Sequence, residues 1–162
     1  MKKLRIAAAA LVAAAWMTVP AFGAEEKAVT KESARQTASQ LVPEDGAFQY
    51  TEQCNDAFEV LYYSEEERSY YAVRVSIFTG EVSSISSTVV DDKGSREAVL
   101  TEDEVKEIVA SDAGEVNVDD VILDTVAGRK KYEVSCTGDG FEAGYVINPE
   151  SGRILKKTVV YL

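Results

Sequence analysis

From Val29 onward, apolar positions recur with two periods, and the same succession of periods occurs twice. Behind Thr101, Val105, Ile108 and Val109 fall at helical spacing and make one apolar stripe. Behind Thr30, the stripe is Ala34, Thr37, Ala38 and Leu41, with Pro43 closing it. Thr101 followed by Glu104 is a capping box, in which hydroxyl and carboxylate satisfy free backbone donors at a helix start. Each helix precedes segments that alternate apolar and polar. In the first copy these hold Phe48/Tyr50, Phe58/Val60/Tyr62, Tyr71/Val73/Val75 and Val82/Ile85. In the second they hold Val121/Leu123, Tyr132/Val134/Cys136, Phe141/Ala143/Tyr145/Ile147 and Ile154 to Val160. Alternation turns one face of a strand to a core and the other to water. Short turns such as Gly138-Asp139-Gly140 make neighbours antiparallel.

The copies align block by block: Phe58-Glu59-Val60 with Tyr132-Glu133-Val134, Phe48 and Tyr50 with Val121 and Leu123, and Thr79-Gly80-Glu81-Val82 with Ser151-Gly152-Arg153-Ile154. Such self-similarity sets the architecture before any single residue does. The prediction is an α+β protein of two tandem modules, residues 24–92 and 98–162, each one helix packed on its own antiparallel sheet of about four strands. The polar, Gly-containing stretch Asp91-Asp92-Lys93-Gly94-Ser95-Arg96 divides them. Modules this small have marginal stability alone, so packing between them is expected.

Residues 1–23 have the parts of a secretory signal: basic Lys2, Lys3 and Arg5, an apolar stretch from Ile6 to Val19, and Ala21-Phe22-Gly23 for cleavage near Gly23. The mature chain is therefore expected outside the cytoplasm, secreted or in the cell envelope, without a membrane span. Removing the signal leaves 14 Lys+Arg (17 less 3) against 28 Asp+Glu. That balance disfavours nucleic acid and reads first as a solubility charge spread over the surface, with attraction of cationic peptides, basic proteins or divalent cations as the alternative. Glu65-Glu66-Glu67, between two strand patterns, reads as a solvated hairpin tip.

The runs LTEDEVKEIVASDAG and YEVSCTGDGFEAGYVINPESGRILK, within residues 100–157, resemble the PepSY domain: a Thr-and-acid helix start, a YEV strand, a strand ending near Asn, a Ser-Gly turn and a last strand. The first copy is similar but more divergent, with Phe58 in place of the Tyr and no Gly-rich hairpin. PepSY domains are similar to the propeptides of thermolysin-type metallopeptidases. The resemblance implies a regulatory or inhibitory role towards a secreted or envelope peptidase, which would be the partner.

Chemistry is sparse. The chain has no His, which excludes Ser-His-Asp and Cys-His machinery and removes the commonest zinc ligand. No HExxH, GxSxG, Walker loop, dinucleotide fingerprint or EF-hand loop occurs. No catalytic residue, cofactor or metal site is assigned. Adjacent carboxylates such as Asp119-Asp120 read as turn and helix-start acids. Cys54 and Cys136 fall in different modules, Cys136 towards the second core, and are expected unpaired rather than bridged. Alternation turns one Tyr of Tyr62-Tyr63 and one of Tyr70-Tyr71 outward, so Tyr63 and Tyr70 form a candidate partner surface, or an ordinary cross-strand pair. The expected function is an exported, non-catalytic binding or regulatory module. The alternative is an envelope ligand-sensing or structural protein binding cations or cell-wall components.

Overall fold

The computed structural model describes residues 28–162; the signal predicted for residues 1–23 lies outside them. The chain runs α1 (Lys31–Ser39), β1 (Ala47–Cys54), β2 (Ala57–Ser64), β3 (Ser69–Ser76), β4 (Val82–Val89), α2 (Glu102–Ala113), β5 (Asn117–Val126), β6 (Arg129–Gly138), β7 (Phe141–Ile147) and β8 (Ile154–Tyr161). Both helices start on complete capping boxes. Thr101 pairs with Glu104, and Thr30 pairs reciprocally with Ser33, whose hydroxyl does the work of the longer carboxylate.

The strands form one eight-stranded antiparallel sheet in the order β1-β2-β3-β4-β8-β7-β6-β5. This corrects the expectation of two tandem modules with separate sheets. The last strands of the two halves, β4 and β8, pair from Ser84↔Val160 to Thr88↔Lys156. A four-stranded half ending at β4 would leave a row of unpaired N–H and C=O groups at its edge, and the equivalent strand of the other half fills it. Strand count and order within each half follow the repeat; the joining of the halves has no signature along the chain.

The joint has near two-fold symmetry. Val75 pairs with Val82 and Ile147 with Ile154, positions 72 apart in the two halves. Ser86 and Thr158, also 72 apart, pair with each other. Equivalent residues therefore meet at the centre of the sheet. Antiparallel strands in one sheet exchange by a half-turn about an axis normal to it, which leaves both helices on the same face.

Paired residues share a face. One row crosses all eight strands on the helix side: Thr51, Val60, Val73, Ile85, Val159, Ala143, Cys136 and Val118. The helices cover this side as two cores. Ala34 and Ala38 lie against Phe58, Val60, Tyr62, Tyr71, Val73 and Val75, and Val105 and Val109 lie against Tyr132, Val134, Cys136, Tyr145 and Ile147. Ile85 and Val159, each at the margin of its own core, pair directly and make the two cores neighbours.

Register shifts occur in four strand pairs, and those in the two edge strands alter the expected alignment of the copies. In β1 the register shifts between Phe48 and Tyr50, and in β5 between Val118 and Asp120. Phe48 pairs with Tyr62 on the helix side, whereas Tyr50 pairs with Leu61 on the other. Phe48 thus corresponds to Val118, not to Val121 as simple alternation aligned it. One extra residue inverts every side chain before it.

The linker is fastened to the second half. Gly94 N and Asn148 Nδ2 both donate to the Asp92 carboxylate, and Val99 N and Leu100 N both donate to Pro149 O. Ser95 and Lys130 form an isolated bridge to the β5–β6 hairpin. Arg153 and Arg68, one from each half, both bond Asp91.

A continuous sheet makes unfolding cooperative. Val60→Ala and Val109→Ala, one from each core and both fully buried, should each cost about 2 kcal/mol and displace one shared urea transition. Two transitions, each moved by only one substitution, would show that the halves unfold independently.

Candidate functional site

With both helices on one side, no other element among the described residues covers the opposite face of the sheet. Its central row is Tyr50, Leu61, Ala72, Ser86, Thr158, Gly144, Ser135 and Asp120. Five neighbouring strands contribute small residues to it, from Ala72 to Ser135, so the middle of the face is a trough running across the strands. Over the second half, on β5 to β8, two shallow clefts of about 390 and 440 Å³ adjoin and share Ser135, Gly144 and Thr158.

The bordering rows are larger and charged. One runs Tyr63, Tyr70, Thr88, Lys156, Val146, Glu133 and Ile122, and the other Glu52, Glu59, Arg74, Ser84, Val160, Glu142 and Thr137. On the trough and its borders Glu52, Glu59, Asp120, Glu133 and Glu142 outnumber Arg74 and Lys156. The acidic balance of the chain thus extends onto this face. Arg74 Nε is buried there and has no hydrogen-bond partner among the described residues.

Tyr63 and Tyr70, the sequence candidates, pair directly across β2 and β3 on this helix-free face, their ring centroids 4.9 Å apart and tilted by 48°. Tyr70 is 41% exposed and Tyr63 half-buried. Partial burial, then nearby Glu65, raises the Tyr63 phenol above its ordinary pKa, so it is a neutral donor at physiological pH. Tyr50, 44% exposed, adds an aromatic at the end of the trough. The β1 bulge puts it there, which is why alternation alone did not add it to the pair.

The helix side holds a polar group that sequence reading also missed. Tyr145 Oη donates to Asp112 Oδ2 at 2.9 Å, and Lys157 Nζ bonds the same oxygen. Burial, then the Asp112 charge, raises the Tyr145 pKa. The corresponding positions of the first half, Leu41, Val73 and Ile85, are apolar members of its core. The phenol and the ammonium thus both serve one carboxylate oxygen. Among the described residues no group of three or more His, Cys, Asp and Glu is placed to hold a metal ion.

At the Glu65–Arg68 turn, Asp45 organises the hairpin tip. Its carboxylate accepts from Glu66 N at 3.1 Å and Ser64 Oγ at 2.8 Å, which hold its pKa below the ordinary carboxylate value. Cys136 is buried in the second core, where burial raises its thiol pKa, and Cys54 is half-exposed on edge strand β1. Six strand spacings separate β1 from β6, roughly 29 Å at about 4.8 Å each, far beyond disulfide reach.

No family model matches the chain, and no curated protein matches it, so the PepSY resemblance stands on the residues that carry it. Among solved structures, it is similar to a cysteine-rich secretory protein of Staphylococcus aureus subsp. aureus Mu50, at 12% identity over 78% of this chain and 42% of that one, TM-score 0.42. It is also similar to a BLIP-like protein of Bacteroides fragilis NCTC 9343, at 14% identity over 81% of this chain and 86% of that one, TM-score 0.34. Likeness at this level carries no functional argument. Among the described residues no helix is long and apolar enough to cross a membrane.

A thiol reagent should titrate one cysteine promptly in the native protein and two after denaturation, because only Cys54 is accessible. A native count of zero would mean that Cys54 is engaged. Asp45, with its lowered native pKa, stabilises the fold above the unfolded carboxylate value of about 4, and the effect is lost as pH falls through the native value. Asp45→Asn should therefore lower the urea midpoint near neutral pH, and the gap to the parent should close as the solution is acidified. A gap independent of pH would refute the assignment.

Proposed function

We propose that the chain is an exported, non-catalytic binding module that regulates a secreted or envelope peptidase. The observation that carries the binding reading is the one-sided sheet: two helices cover one face, and the other presents a trough with exposed aromatics and carboxylates. A soluble protein that needed this face only for stability would pack a layer on it or make it uniformly polar. Tyr50, Tyr63 and Tyr70 supply broad contact area of the kind enriched at protein interfaces.

Two further features support the reading. The regulatory half rests on the PepSY resemblance of residues 100–157, and export rests on the signal-like residues 1–23. A peptidase regulator needs no catalytic groups of its own, and none is assigned in this chain. Non-covalent blockade of a substrate cleft requires complementary shape and charge, which a preformed sheet face supplies without ordering cost.

Residues 24–162 at micromolar concentration should slow a thermolysin-type metallopeptidase acting on a peptide substrate, and Tyr70→Ala should weaken the effect several-fold while leaving the unfolding midpoint nearly unchanged. Unchanged peptidase rates at saturating protein, across the metallopeptidases of the source culture fluid, would refute the regulatory reading.

A further inference from the structure

Gly144 lies in the middle of β7, flanked by paired strands on both sides. Its φ is not positive, so no backbone conformation there requires glycine. A Cβ built on it meets no atom of the described residues within 4 Å, so no described neighbour crowds it out. Glycine nevertheless weakens a strand by its entropy and its lack of cross-strand contact, and β-branched residues favour such positions. With neither geometry nor packing to account for it, the remaining physical reason for glycine inside a strand is the close approach of another molecule.

The position is the floor of the trough. Ala72, its two-fold equivalent, is the smallest residue that keeps a side chain, so both halves keep the centre of the helix-free face low. Elsewhere on this face the halves differ: Tyr70 corresponds to Glu142, and Arg74 to Val146. A low centre retained while its surroundings diverge is a shape requirement separate from the fold's own.

We propose that the trough receives an extended, arginine- or lysine-rich segment of a partner protein, lying across the strands over Gly144. From Ala72 to Ser135 it spans four strand spacings, roughly 19 Å, the length of about six extended residues. The long aliphatic stems of basic side chains lie along the small floor while their charged heads reach the carboxylates at its borders, Glu142 two residues before Gly144 on β7 and Glu133 diagonal to it on β6, with Lys156 an opposing charge on the Glu133 border. The surrounding negative field attracts the same segment from a distance. The inference rests on the helix-free face being the binding face, and it adds the chemistry of the occupant.

The test titrates the full mature chain, residues 24–162, with a decapeptide of alternating arginine and alanine, and with the same peptide carrying glutamate for arginine, following backbone amide shifts and affinity. The arginine peptide should bind saturably with shifts centred on β4, β6, β7 and β8, and the glutamate peptide should not bind. Gly144→Val fills the trough without altering charge; its affinity should fall at least tenfold while the unfolding midpoint holds or rises. Ser135→Leu, from the next strand, should act in the same direction, and Glu142→Gln should weaken binding a few-fold. No binding of the arginine peptide, or binding by both filled variants as tight as the parent's, overturns the proposal, the latter because charge alone would then explain the attraction. A metallopeptidase slowed equally by the parent and the Gly144→Val variant would leave the regulatory reading in place and remove the trough from it. Peptide binding lost in that variant, with no peptidase affected, would do the reverse.

Discussion

The pairing of β4 with β8 is the constraint on which the rest of the molecule depends. Each half ends on a strand whose outer edge is unpaired, and each is too small to bury much apolar surface alone. Joining the two edges satisfies both rows of backbone groups and makes Ile85 and Val159 neighbours, so that two small cores stand side by side under one sheet. Because equivalent residues Ser86 and Thr158 meet at the centre, the junction repeats one set of contacts twice, as an isologous interface does between separate chains.

The same symmetry separates two kinds of surface. An axis normal to the sheet leaves both helices on one side, and there the strand positions under the helices largely agree in character: Phe58 with Tyr132, Val60 with Val134, Val75 with Ile147. The opposite side bears no packing constraint from a helix, and there the halves have diverged into an aromatic portion around Tyr63 and Tyr70 and a carboxylate-rich portion around Glu133 and Glu142. The halves thus diverge where the fold is indifferent, around a centre that stays small.

Polar contacts fix the halves in place where apolar contact is thin. Asp91 takes Arg68 from the first half and Arg153 from the second, while Asp92 holds the turn at Asn148. The exposed ion pairs contribute little each. Their effect is geometric: they hold the linker against the second half and so set the path by which the chain re-enters the sheet. The Asp112, Tyr145 and Lys157 group, where the first half has Leu41, Val73 and Ile85, shows that one backbone frame accepts either an apolar or a satisfied polar cluster.

The sequence by itself determined the local elements. Thr30 and Thr101 mark the helix starts, the alternation of Val60 and Tyr62 or Val134 and Cys136 marks the buried side of each strand, and the repeat gives the order of elements in both halves. These are properties of residues near one another in the chain, set by capping, period and turn chemistry. Tyr63 and Tyr70 were legible as an outward pair for the same reason. Tertiary structure alone decided that the halves share one sheet, because backbone edges carry no side-chain signature and β4 meets β8 across some 70 residues. It also decided the placement of Tyr50, since a bulge inverts alternation without any residue type that announces it. The role of Gly144 belongs to the same class: a glycine in a strand pattern is unremarkable until the space above it is known to be open, and that space exists only once five strands have been laid side by side.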